Sequence, residues 1–181
     1  KKYGYVNTQG ELVIPCIYER GWEFSEGLSY VRKNKKWGYI NLEGEVIIPF
    51  VYDEARSFKD GLASVEKDGK HGFINTAGEI ILPFIYKESF GFSEGLASVK
   101  KDRKWGYINT KGEVVIPFIY DIAGSFSEGL AKVEKRAKRR SRFGRILEPR
   151  RRDTTYIINK LGKVVIEDCE HFSPKWSKVE P

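Results

Sequence analysis

Short apolar bursts alternate along the chain with polar turns that carry Gly and Pro at fixed places. W-G-Y-I-N, then T-K-G-E, then V-V-I-P predicts strand, Gly-containing turn and strand, a β-hairpin. L-A-S-V-E-K ahead of D-G-K and H-G-F-I-N predicts a third strand on the same grounds. The β-branched and aromatic residues between the turns favour strands and disfavour helices. Each unit thus predicts a three-stranded antiparallel meander, followed by a loop such as Y-D-E-A-R-S-F-K-D-G that crosses to the next meander.

The pattern repeats. Gly4, Gly38, Gly72 and Gly106 are spaced by a constant step of 34 residues. Pro15, Pro49, Pro83 and Pro117 keep that step, as do Tyr18, Tyr52, Tyr86 and Tyr120, and Phe24, Phe58, Phe92 and Phe126. A fifth, worn copy places Asn159 against Asn109, an offset of 50, and Phe172 against Phe126. The period suits tetratricopeptide helices, but the recurring Gly, Pro and β-branched residues exclude them. Val46, Ile47 and Ile48 point to both faces of their strand in turn, so the strand is expected to need cover on both sides. Pro49, which cannot donate to a ladder, is expected at a strand exit or on an edge.

The expected fold is therefore all-β, with tandem three-stranded meander repeats of 34 residues stacked in a curved array; a closed propeller-like ring is the alternative. The repeats run about 2–34, 35–68, 69–102 and 103–135, with an insertion at 136–152 and a degenerate fifth repeat at 153–181, all in one domain.

The string K-W-G-Y-I-N…G-E-V-I-I-P…Y-D…F…G-L-A…V resembles the WG-repeat, or KWG-repeat, family of bacterial proteins. The resemblance implies a β-repeat fold and an interaction role, and brings no catalytic residue. Tyr3 and His71 stand where the motif has Trp, and the fifth copy shows Thr155 and Tyr156 in place of Trp and Gly. A degenerate end unit fits a cap. A weaker similarity to the aromatic hairpin repeats of bacterial cell-wall-binding modules implies glycan binding through the repeated rings as an alternative. Burial of the W-G-Y aromatics would end that alternative.

Composition adds bounds. The chain is 40% hydrophobic and 31% charged, an ordinary globular balance. No apolar run is long enough to cross a bilayer. The chain begins at Lys1 and has no Met, as expected of a processed protein or a piece of a longer one, so compartment stays open. Cys16 and Cys169 give neither a disulfide framework nor metal-ligand spacing, and Cys16 occupies the place of Phe50, Phe84 and Phe118, which predicts a small core residue.

Chemistry is sparse. Ser25, Ser93 and Ser127 precede Glu26, Glu94 and Glu128, but with only His71 and His171 in the chain no base is arranged to activate them; a turn role fits. Asp168, Cys169, Glu170 and His171 offer two ligands to each strand face, short of a metal site. No catalytic, cofactor or metal residue is assigned.

The insertion differs. From Lys135 to Arg152 there are ten Lys or Arg against Glu148 alone, a net of +9 in a chain whose total is +7, so the remainder is mildly acidic. Arg139, Arg140, Arg142, Arg145, Arg150, Arg151 and Arg152 are the candidate contacts to a polyanion, whether phosphate, nucleic acid or an acidic protein surface. A solvated loop, or local packing through Phe143, Ile146 and Leu147, stands beside that reading. The expected function is a non-enzymatic binding or scaffold module whose partner is a protein.

Overall fold

The computed structural model describes residues 1–136 and 153–167. The described residues form strands and turns, with no helix. A first sheet holds β1 (Tyr3–Val6) and β2 (Leu12–Tyr18). The second holds β3 (Arg20–Gly21), β4 (Ser29–Lys33), β5 (Lys36–Ile40) and β6 (Val46–Tyr52). The third holds β7 (Glu54–Ala55), β8 (Leu62–Lys67), β9 (Lys70–Asn75) and β10 (Ile80–Tyr86). The fourth holds β11 (Glu88–Ser93), β12 (Leu96–Lys101), β13 (Lys104–Asn109) and β14 (Val114–Tyr120). The fifth holds β15 (Ile122–Ala123), β16 (Leu130–Lys135), β17 (Thr154–Asn159) and β18 (Val164–Glu167). Every pairing is antiparallel, and each four-stranded sheet is a meander in chain order.

Three expectations change. The meander has four strands, because the residues after each conserved Tyr form a short strand that pairs with the next sheet; Ala55, for example, pairs with Val65. Sheet and sequence repeat are consequently out of phase, each four-stranded sheet taking its first two strands from one repeat and its last two from the next. The V-I-I-P strand is also not covered on both sides. It is the last strand of its sheet, and only Ile48 (1% exposed) and Tyr52 are buried, while Val46 and Ile47 are exposed. Pro49 thus sits on an edge, as expected, but within β6 and not at its exit. The pairing slips around it, from Trp37↔Tyr52 to Tyr39↔Ile48. Opposite that bulge only Gly fits, since a Cβ on Gly38 would lie 2.6 Å from the Ile48 carbonyl oxygen. Cys16 is exposed, not a core residue; it falls on β2, the edge strand of the first sheet that corresponds to β6.

Packing lies between sheets. Four clusters of buried residues each join two consecutive sheets, and the substantial strand contacts across sheets run only between chain neighbours. The same pair of rings recurs at these joints. Tyr39 meets Phe58 at 4.8 Å between centroids, Phe73 meets Phe92 at 4.9 Å and Tyr107 meets Phe126 at 4.9 Å, all tilted by about 60°. The Tyr39 hydroxyl donates to the Arg56 carbonyl at 2.8 Å, and that of Tyr107 to the Gly124 carbonyl at 2.7 Å.

The F-S-E-G motif also finds its role here. The Ser25 hydroxyl donates to the Phe58 carbonyl at 2.7 Å and Ser93 to the Phe126 carbonyl at 2.8 Å. Glu26 accepts from the Gly61 backbone N–H, Asp60 from Gly95 and Glu94 from Gly129. Ser and Glu therefore close one unit onto the next. The Asn of I-N-x-x-G-E works inside the hairpin, where the Asn41 side-chain oxygen accepts from the backbone N–H groups of Glu43 and Glu45.

Replacing Phe126, 1% exposed, with Ala should cost about 3–5 kcal/mol of unfolding free energy. Tyr107→Phe, which keeps the ring and loses the hydroxyl, should cost about 1 kcal/mol. Urea denaturation followed by circular dichroism measures both; equal losses would mean that the hydroxyl, and not ring packing, holds the joint.

Candidate functional site

The repeated rings are the first candidates, and they are spent inside the molecule. Tyr39, Phe73 and Tyr107 are fully buried, Trp105 and His71 nearly so, and Trp37 half-buried. In these internal units they offer no exposed ladder for a sugar.

The exposed rings belong to a different repeat position. Trp22, Arg56, Phe90 and Gly124 share one place, each directly after the short opening strand or, at Phe90, within the longer β11. Trp22 and Phe90 are 46% and 48% exposed. The frame presents this place, because the carbonyls that the tyrosine hydroxyls hold are those of Trp22, Arg56 and Gly124. Sequence reasoning passed these residues over as part of a crossing loop. The signal was present in the column itself, where identity changes from unit to unit between the invariant Tyr and Phe columns of Tyr18 and Phe24.

These residues touch in a row across three sheets. Trp22 stacks on Tyr30 at 5.2 Å with 14° between planes, and both contact Trp37. Arg56 acts electrostatically on Tyr30 and lies 5.6 Å over the Phe90 ring. Phe90 stacks on Trp105 at 5.1 Å and 20°, and the Lys100 ammonium stands 5.7 Å over Trp105. The row opens at that end into a groove of about 670 Å³, where Lys87, Arg103 and Arg136 add cations and Glu88 and Asp121 add the acids. Lys100 pairs with Glu88 at 2.7 Å and Lys104 with Asp121 at 2.7 Å. Partial burial works against ionisation of Asp121, but hydrogen bonds from Lys104 and from the Arg136 backbone N–H outweigh it and hold the carboxyl below its usual range.

The seven arginines read from the sequence, Arg139 to Arg152, lie outside the described residues, as do Asp168, Cys169, Glu170 and His171. Arg136 does not, and it lines the groove. The insertion sits between β16 and β17, which pair in register from Leu130↔Asn159 to Lys135↔Thr154, so it falls between two sequence repeats and joins neighbouring strands of one sheet.

His71 takes the Trp place of the third unit. Its Nε2 lies 3.7 Å from Glu66, and with Glu54 the three ligand atoms fall within 4.8 Å of one another. The Arg56 charge beside them works against a bound cation. Desolvation pushes the His71 pKa down against the opposing pull of Glu66, Glu54 and Glu88.

Among the described residues, one two-stranded hairpin sheet followed by four meander sheets in tandem defines a β-repeat protein. The family model of the WG containing repeat matches at residues 3–37, 37–70, 72–105 and 105–138, and the chain belongs to that family. No curated protein matches the chain. Among solved structures it is similar to a crystal structure of the eukaryotic initiation factor, at 13% identity and a TM-score of 0.57 over 91% of this chain and 49% of that one. The chain thus spans about half the length of that structure, and the likeness concerns fold alone. Kluyveromyces lactis Hsv2 aligns at 12% identity and a TM-score of 0.39 over 80% of this chain and 62% of that one.

A histidine held neutral by burial contributes stability above its unfolded pKa, and that contribution is lost as pH falls through and below the usual histidine range. His71→Trp restores the ring of Trp37 and Trp105 and should flatten the loss of stability between about pH 7 and about pH 5. Urea midpoints of the two proteins across that window measure it; parallel curves would remove His71 as the source.

Proposed function

We propose that this chain is a non-enzymatic binding module that holds a protein partner along the row from Trp22 to Trp105 and into the adjoining groove. The observation that carries the reading is the position shared by Trp22, Arg56 and Phe90, where the rings of Trp22 and Phe90 are exposed and the half-buried Arg56 lies between them. Trp, Tyr and Arg are the residues that dominate binding energy at protein interfaces. Cations outnumber acids along the groove, so the favoured partner segment is acidic with aromatic or aliphatic anchors. Arg136 on the groove wall leads into the basic insertion, which would extend the same preference.

A peptide library displayed on phage and panned against the chain tests this. Acidic peptides with apolar anchors should be enriched, and Trp22→Ala with Phe90→Ala should weaken the selected peptides by about 30-fold. Deleting 137–152 should reduce both affinity and its dependence on salt. Failure to enrich any peptide, or equal binding to the double variant, would overturn the reading.

A further inference from the structure

The joint between sheets is repeated four times, and its two halves are left over at the two ends. At each internal joint the hairpin-turn glycine of one sheet rests on an aliphatic side chain in the last strand of the sheet before it. A Cβ on Gly44 would lie 3.3 Å from Ile14, on Gly78 3.3 Å from Ile48, on Gly112 2.7 Å from Leu82 and on Gly162 3.4 Å from Ile116. All four of those receiving side chains are buried, at 3%, 1%, 5% and 1% exposed. Beside each turn, the next sheet contributes an isoleucine to the joint; Ile40, Ile74, Ile108 and Ile158 are each 0% exposed.

The first sheet carries the same donor half without a receiver among the described residues. Gly10 has the turn conformation of the others, with φ at 83° against 82° for Gly44, yet nothing stands within 4 Å of where its Cβ would be. Val6, at the place of those four isoleucines, is 64% exposed. The fifth sheet carries the receiver without a donor among the described residues. Ile166, at the place of Ile116, is 38% exposed, and Val164 and Val165 beside it are exposed too. Among the described residues the outer edge of β1 likewise has no partner strand, whereas β5, β9, β13 and β17 each pair there with the strand before them.

We infer that the ends are complementary and that the chain assembles head to tail with a second copy of itself, the Val6–Gly10 side of one copy seating on Ile166 of the next. The four internal joints describe the shape and chemistry of the occupant, a turn glycine flanked by a β-branched residue, and this chain exposes that element at its first sheet. Such a contact is heterologous, using different patches on the two copies, so it can propagate or close a ring instead of stopping at a two-fold dimer. It is separate from the aromatic row, which stays open for a partner.

Analytical ultracentrifugation of the 181-residue chain and two variants tests this. Val6→Arg spoils only the donor end and Ile166→Arg only the receiver end; both side chains are exposed, so thermal melts should stay near that of the parent. The parent should sediment as concentration-dependent assemblies larger than a monomer. Each variant alone should be monomeric, and an equal mixture should recover a dimer and nothing larger, because one intact receiver meets one intact donor. A parent that stays monomeric at every concentration, variants that still associate, or a mixture that does not dimerise would each overturn the inference. So would cysteines placed at 6 and 166, in a background free of Cys16 and Cys169, that cross-link only within single chains.

Discussion

The tilted ring pair between sheets is the contact on which the rest of this molecule depends. A lone four-stranded meander of this size has one apolar face and little to cover it. Tyr39 against Phe58, Phe73 against Phe92 and Tyr107 against Phe126 supply large buried area at a fixed angle, and the small residues Ala63, Ala97 and Ala131 let the next sheet come close. The Ser and Glu of F-S-E-G reinforce the same joint with hydrogen bonds to backbone groups of the following unit. Stability is thus a nearest-neighbour property, as in other repeat proteins, and the conserved words of each repeat are mostly words about the adjoining one.

That joint also explains how an invariant frame makes a variable surface. The hydroxyl that locks Tyr39 or Tyr107 into the next sheet does so by holding the carbonyl of the variable residue, so packing and presentation are one interaction. In the third unit Phe73 has no hydroxyl to offer, and the matching segment is held by strand pairing across β11 instead, with Ser89 and Ser93 helping to shape it. Either way the side chain at that place is free to differ. Trp22, Arg56 and Phe90 differ, and they meet in a row only because successive sheets are set by the same joint.

Much of this was legible in the sequence, and the failures have physical causes. Hairpins, turns and the 34-residue period were plain because Gly, Asn and Pro mark backbone requirements that side-chain packing cannot override. The fourth strand was missed because two residues such as Glu54 and Ala55 carry no periodicity. The double cover expected for V-I-I-P failed because apolar residues on an edge strand need not be buried, and the Pro bulge turns part of the strand outward. The glycan ladder was tied to the repeated rings, and repetition is the mark of the frame. The candidate site that stands in its place came from a column, Trp22, Arg56, Phe90 and Gly124, that changes in every unit.

The central claim is that conserved residues build and the variable column binds. It is tested most directly by the unfolding free energy of a Trp22→Ser, Arg56→Ser, Phe90→Ser triple variant, set against Phe126→Ala measured alongside it. The account predicts that the triple variant loses less stability than the single core substitution, since the exposed Trp22 and Phe90 and the half-buried Arg56 contribute little each. A loss as large as that of Phe126→Ala would make the row part of the frame and contradict the account.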